Sequence, residues 1–233
     1  MRASSYSQNI LEDCGHETQR VGDRTMVVEK PEWKNPCSKD GKRLDFGHLG
    51  GTSTSGDPCS FYPELWSWLI NKFDIHSVFD IGCGTGFAME FFHKNSVLVH
   101  GIDCEQVLQH HRMDRSYTNS HDLTTCPYFY MADLVWCCEV AEHISESHVD
   151  NIVQSLVKST DKVLAFCAAP KGCGGYNHVN CQDVEYWIEL LTSSKVLQYK
   201  EDLTLEAKSL CNEAYGRSPN NYFKRSGAIF LRE

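Results

Sequence analysis

From Pro58 onward the apolar residues follow two alternating rhythms. Phe61, Leu65, Trp68, Leu69 and Phe73 recur at helical spacing, with Pro63 near the start, where a missing N–H is tolerated. The short apolar run Ser77–Ile81 ends in glycines, as a buried strand does, and residues 88–94 suit a helix. Val97–Ile102 and Leu134–Cys138 read as further buried strands. Val149, Ile152, Val153, Leu156 and Val157 make an i, i+3, i+4, i+7, i+8 stripe, which predicts a helix before a strand at Val163–Ala168. Val184, Trp187, Ile188 and Leu191 form one more amphipathic helix, and Val196–Tyr199 and Ala228–Leu231 are late strands. Strands alternating with helices imply βαβ units and a mostly parallel sheet covered on both faces.

Before Pro58 the pattern is weak. Residues 1 to about 45 read as loops and turns, with Met26-Val27-Val28 as one short strand. The Gly-, Ser- and Thr-rich stretch Gly47–Gly56 reads as a flexible loop. The expected organisation is therefore an N-terminal extension, residues 1–57, capping the site of a domain at 58–233.

Composition narrows the class. With 233 residues, 41% hydrophobic and 23% charged, the chain can build a core without disulfides or metals. The net charge of −9 removes the usual electrostatic footprint of a tight nucleic-acid binder. No apolar stretch approaches the ~20 residues that span a bilayer, and Met1–Leu11 has no signal-peptide core, so a cytoplasmic location is expected. The 12 cysteines show no C-x-x-C pair, and several sit inside apolar runs, where they read as small buried hydrophobes. Cys14, His16, Cys37, His48 and Cys59 match no common zinc-finger spacing.

The sharpest chemical signal is Asp80-Ile81-Gly82-Cys83-Gly84-Thr85-Gly86, between a strand and a helix. Its G-x-G-x-G spacing differs from the G-x-G-x-x-G of dinucleotide folds, because residue 87 is Phe, and no P-loop lysine follows. Asp103 ends the next strand, ~20 residues on, where a carboxylate can take both hydroxyls of a ribose. Asp122-Leu123, before the following strand, could hold an adenine through its exocyclic amine and flank the ring.

This combination resembles the class I S-adenosylmethionine-dependent methyltransferases over about residues 47–233. Val78–Gly86 matches the first family motif and Val99–Asp103 the acidic end of the second strand. Asp133 to Glu139-Val140-Ala141-Glu142-His143 matches the fourth-strand motif, and Leu164–Pro170 the fifth. Gly50…Gly56-Asp57-Pro58…Trp66, with Tyr176-Asn177-His178-Val179-Asn180-Cys181-Gln182, is similar to a subgroup associated with phage and large-virus genomes. The resemblance implies a Rossmann-like three-layer αβα sandwich, with a seven-stranded, mostly parallel sheet and an antiparallel last strand. It implies S-adenosylmethionine as cofactor, released as S-adenosylhomocysteine. Asp80, Ile81, Gly82, Cys83, Gly84, Thr85 and Gly86 would cradle its methionine portion. Asp103 and Cys104 would hold the ribose, Asp122 and Leu123 the adenine, and Glu139 would lie beside the sulfonium.

Methyl transfer to an activated carbon needs alignment first and a base only when the acceptor must lose a proton early. His178, in the loop after the fifth strand, is the best base candidate, and a role in positioning that loop or the substrate is the other reading. Glu142 and His143 are the other catalytic candidates. Glu139, Glu142 and His143 stand at i, i+3, i+4 and cluster if a helix has begun. A similar E-x-x-E-H pattern is linked to metal in some quinone O-methyltransferases. The sequence favours a cofactor-side glutamate plus a helix-start network, so no metal is expected. Tyr222, Phe223, Lys224 and Arg225 either reach an anionic acceptor or form a solvated turn.

The fourth-strand position reads Cys-Cys-Glu-Val, which lacks the Pro-Pro motif of exocyclic-amine nucleic-acid enzymes, and there is no Pro-Cys nucleophile there. The expected activity is therefore methylation of an O or N atom of a small molecule or saccharide. A nucleic-acid or RNA-cap methyltransferase, and a cofactor-binding interaction module without turnover, are the alternatives. A dehydrogenase is disfavoured by the glycine spacing.

Overall fold

The strand runs are apolar at consecutive positions because the sheet they form is covered twice. A computed structural model describes residues 17–21, 24–28, 43–45, 47–54, 56–211 and 221–233. Strands β1 (Glu17–Val21) and β2 (Arg24–Val28) form one antiparallel pair, and β3 (Arg43–Asp45) and β4 (Gly51–Ser53) another. There follow α1 (Pro63–Phe73), β5 (Ser77–Ile81), α2 (Phe87–Lys94), β6 (Leu98–Asp103), α3 (Glu105–Leu108), β7 (Thr118–Ser120) and β8 (Ala132–Cys138). The chain continues through α4 (Val149–Ser159), β9 (Thr160–Cys167), α5 (Val184–Thr192), β10 (Leu197–Tyr199), α6 (Glu201–Ser209), α7 (Tyr222–Ser226) and β11 (Ala228–Arg232).

Seven of these strands make one sheet in the order β10-β11-β9-β8-β5-β6-β7. Its β7, β6, β5, β8 and β9 are mutually parallel, while β11 runs antiparallel to both β9 and β10. This is the expected α/β architecture with the last strand reversed. The chain leaves β5 for β6 on one side and later returns to β8 on the other. That reversal opens a crevice at the carboxyl ends of β5 and β8, where open α/β sheets bind ligands.

Side chains alternate between two cores. Val78, Leu134, Trp136, Val163, Ala165 and Ile229 face a cluster built with Trp66 and Phe92 from α1 and α2. Their neighbours Phe79, Val135, Leu164, Phe166 and Phe230 face the other cluster, with Leu156 from α4 and Trp187 from α5. Ser155 joins the second layer to a loop by accepting from the Tyr128 N–H at 2.9 Å while donating to the Asn151 carbonyl.

Several places differ from the sequence reading, including strands β1 and β3 where loops were expected. Gly47–Gly56 is not featureless: it holds a 3-10 turn (Gly47–Leu49) and β4, because Arg43–Asp45 supplies backbone partners. The Thr-Asn-Ser strand β7 carries no apolar signal, since it is a short edge strand. Helix α6 buries only Thr204 and Ala207, too few to show a stripe. In the N-terminal segment, the β1–β2 hairpin lies against α1 and α2. Cys14, His16 and Cys37 fall outside the described residues. Among the described residues, no helix is long and apolar enough to cross a membrane.

Leu156 is fully buried under the sheet. Leu156→Ala should lower the unfolding free energy by about 2–5 kcal/mol, read as a reduced urea midpoint at unchanged slope.

Candidate functional site

The glycine turn is tied to the neighbouring strand before any ligand arrives. Gly82 and Cys83 both donate their N–H groups to the Ile102 carbonyl, at 2.9 and 3.0 Å. Gly82 has φ +74° and Gly84 φ +56°, a region side chains rarely adopt. A Cβ on Gly82 would overlap the Val140 side chain, whereas a Cβ on Gly84 would meet nothing within 4 Å and would project into open space. Gly82 is therefore closed packing, and Gly84 is the floor of a cleft.

Two carboxylates flank that floor. Asp103 Oδ2 accepts from the Gly84 N–H at 2.8 Å, and Oδ1 accepts from the Cys104 N–H at 2.7 Å. Burial raises the Asp103 pKa, with both amide bonds working against the shift. Asp80 is 3% exposed. Its pKa is pushed up to about 8, by burial first and by the Asp103 charge second. The cleft thus carries a neutral carboxyl at neutral pH that a cation would ionise.

The cleft has a volume of about 560 Å³. Asp80, Gly82, Cys83, Gly84, Thr85, Asp103, Cys104, Asp122, Leu123, Glu139, Glu142, His143 and His178 all line it. Ile81 and Gly86 do not: Ile81 is packed in the second core, and Gly86 precedes the first turn of α2. Asp122 serves its own turn as well, since Oδ1 accepts from the Thr124 amide and hydroxyl and Oδ2 lies 3.1 Å from His48 Nε2. Burial raises its pKa, but these bonds outweigh burial and keep the carboxylate charged.

The far end of the cleft begins where β8 stops. Glu139 stands at φ +57°, a left-handed conformation that costs a non-glycine residue ~1–2 kcal/mol. Its N–H is held by the Cys167 carbonyl at 2.9 Å. Burial pushes its pKa up to about 7, and Arg225, at 3.6 Å, pulls the other way. The expected helix start is absent: Ala141–His143 is a single 3-10 turn, and α4 begins only at Val149. Glu139 therefore lies outside any helix, and the i, i+3, i+4 geometry does not apply.

A different contact brings the cluster together. The Glu142 carbonyl accepts the Val179 and Asn180 N–H groups, at 2.9 and 3.0 Å, pinning the loop that carries His178. The His143 and His178 rings stand perpendicular at 4.9 Å. His143 Nδ1 lies 3.2 Å from the Asn177 carbonyl. Burial first, and the neighbouring His178 second, push the His143 pKa down to about 4, and burial lowers that of His178 too. The Glu142 side chain is fully buried, and neither oxygen has a hydrogen-bond partner of normal geometry. Burial and Glu139 push its pKa well up, and the amides of Glu142 and Ala169 lower it in part.

Sequence reasoning ranked some cleft residues too low. Arg225 and Tyr222 line the cleft rather than a solvated turn, and Asp57 joins them, its carboxylate accepting from the Cys59 N–H at 2.9 Å. Tyr62 explains why: its hydroxyl donates to the Cys59 carbonyl and accepts from the Phe223 N–H at 3.1 Å, clamping both loops together. Gly56-Asp57-Pro58 was a readable signal for Asp57; nothing local marks the Tyr62 clamp.

Gly84→Ala should cost only the left-handed backbone strain of ~1–2 kcal/mol, while Gly82→Ala adds the Val140 overlap. Urea denaturation should therefore rank Gly82→Ala clearly below Gly84→Ala.

No protein-family model matches the chain, and no curated protein sequence does. Solved structures do match in fold. Magnesium protoporphyrin IX methyltransferase from Synechocystis PCC 6803, with bound SAH, aligns with TM-score 0.52 and 17% identity over 72% of this chain and 80% of that one. The plantazolicin methyltransferase BpumL, in complex with SAH and a pentazolic substrate analogue, aligns with TM-score 0.51 and 15% identity over 73% and 83%. The sheet order, the reversed β11 and these alignments together show that the chain has the fold of the S-adenosylmethionine-dependent methyltransferases.

Proposed function

We propose that the chain is an S-adenosylmethionine-dependent methyltransferase acting on an oxygen or nitrogen of a small molecule or saccharide. The observation that carries the reading is the pair Asp80 and Asp103 around the open floor at Gly84. A neutral buried carboxyl and an amide-held carboxylate, one strand apart, suit a ligand with a cationic amino group and a ribose. S-adenosylmethionine supplies a methyl group on a sulfonium, whose leaving group is a neutral thioether.

Asp80 accepts from the amino group and becomes ionised as it does so. Asp103 spends one lone pair of each oxygen on a backbone N–H, which leaves others for two ribose hydroxyls. Leu123 flanks the base, and Asp122 Oδ2 takes its exocyclic amine beside His48. Glu139, fixed in its left-handed conformation, closes the methyl-bearing end. Glu142, His143 and His178 act on the acceptor, which enters between the His178 loop and Arg225. Alignment of this kind is worth up to ~7–11 kcal/mol of barrier in favourable cases.

The small acceptor is favoured by the shape and charge of the site. A cleft of about 560 Å³ lies within the ~300–1,000 Å³ of ligand pockets. Asp57, Glu139 and Glu142 line it against a single arginine, Arg225, so a polyanionic backbone gains little there.

Calorimetric titration with S-adenosylhomocysteine, with nicotinamide adenine dinucleotide as control, tests the reading. The first should bind and the second should not. Gly84→Asp fills the floor, so it should keep the fold and lose at least tenfold in affinity. Unchanged affinity in the folded variant would remove the cradle from the account.

A further inference from the structure

The segment Gly47–Ser53 touches the cleft at two distant points. At one, His48 Nε2 lies 3.1 Å from Asp122 Oδ2, across 74 positions of sequence. At the other, the Gly50 backbone lies on the His143 ring: a Cβ at Gly50 would stand 3.0 Å from Nδ1. Gly50 is buried and holds φ +78°, so both the space and the backbone require glycine there. His48, Leu49 and Gly51 line the cleft, and the pairing of β4 with β3 secures the segment beyond them.

The two oxygens of Asp122 are used unequally. Oδ1 accepts from the Thr124 amide at 2.8 Å and from its hydroxyl at 2.7 Å, while Oδ2 meets His48. Burial raises the Asp122 pKa, but the Thr124 and His48 bonds outweigh it, so the carboxylate is charged and only accepts. His48 Nε2 therefore carries the proton and donates. Oδ2 keeps a second lone pair for one more N–H. The rival explanation is a solvated surface pair. Such a pair is worth little on its own, and it gives no reason for the same segment to be seated on His143.

We propose that His48 is a cofactor-binding residue, which together with Asp122 seats the Gly47–Ser53 segment against the adenine of S-adenosylmethionine. This assignment rests on the methyltransferase reading. The imidazole N–H and the exocyclic amine of the adenine share Asp122 Oδ2, which brings the ring beside the base. The base then covers ring surface that water covers in the free protein. One exposed hydrogen bond is a weak tether, so the segment opens readily in the free protein and is held when the base is present. Gly50 follows His48, because only Leu49 separates them. The wall beside His143 is thus set by the cofactor, and the methyl donor binds before the acceptor.

The test uses S-adenosylhomocysteine and 5′-methylthioadenosine, which keeps the adenosine and lacks the amino-acid portion. Affinities come from calorimetry and dissociation rates from stopped flow. His48→Ala should weaken both ligands by at least about fivefold, through faster dissociation. His48→Gln places an amide N–H where Nε2 stands and should return to within about twofold of the unmodified chain. The His48 side chain is 67% exposed, so neither variant removes a core contact. Hydrogen exchange gives a reading without substitution. The Gly50 N–H, bonded to the Gly47 carbonyl at 3.1 Å, should exchange more slowly with S-adenosylhomocysteine bound. The assignment is overturned by unchanged affinity in His48→Ala, by a loss seen with S-adenosylhomocysteine and not with 5′-methylthioadenosine, by no recovery in His48→Gln, or by unchanged exchange at Gly50. If S-adenosylhomocysteine binds and these effects are absent, the inference fails and the methyltransferase reading stands. If neither ligand binds the unmodified chain, the reading fails and His48 loses its role with it.

Discussion

Asp80 and Asp103 end two neighbouring parallel strands, and the chain between them must turn without covering either carboxylate. Most of the site follows from that constraint. The turn is held by two amides on the Ile102 carbonyl, and it places Gly84 so that its N–H reaches Asp103. Gly82 gives room to Val140, which leads into the 3-10 turn bearing Glu142 and His143. Burial holds Asp80 as a neutral acid until a cation arrives, so the site stores an electrostatic preference for a positively charged ligand.

The same economy governs the far end of the cleft. The sheet switches direction between β5 and β8, and β8 ends in the strained Glu139. Because the chain does not enter a helix there, the Glu142 carbonyl is free to accept the Val179 and Asn180 amides. That one backbone contact converts residues 35 positions apart, His143 and His178, into a perpendicular ring pair. Acidic groups dominate the cleft, and Arg225 sets which of them stay charged. Glu139 is relieved by it, and Glu142 is not.

The sequence displays the parts of this design that rest on local rules. Central strands β5, β6, β8 and β9 are continuous apolar runs because both faces are buried, and α4 shows its stripe because one face is. The glycine turn and Asp103 are visible through spacing alone. What stays hidden is long-range. Edge strand β7 and helix α6 bury too little to leave a pattern. Strand β4 exists through pairing with Arg43–Asp45, and the Tyr62 clamp through a residue 161 positions away. The E-x-x-E-H spacing was legible but suggested the wrong local geometry, since nothing in it announces that Glu139 is left-handed.

The central claim, that a buried neutral Asp80 waits for a cationic ligand, is open to one direct measurement. The carboxyl carbon of Asp80 can be titrated by ¹³C nuclear magnetic resonance in the free protein and with S-adenosylhomocysteine. In the free protein the pKa should lie near 8. With ligand it should fall by at least a unit, so that Asp80 releases a proton on binding between that lowered pKa and about pH 8, and none well outside that window. An ordinary carboxyl value of ~4 in both states would contradict the account, because the cleft would then hold no reserve for a cation.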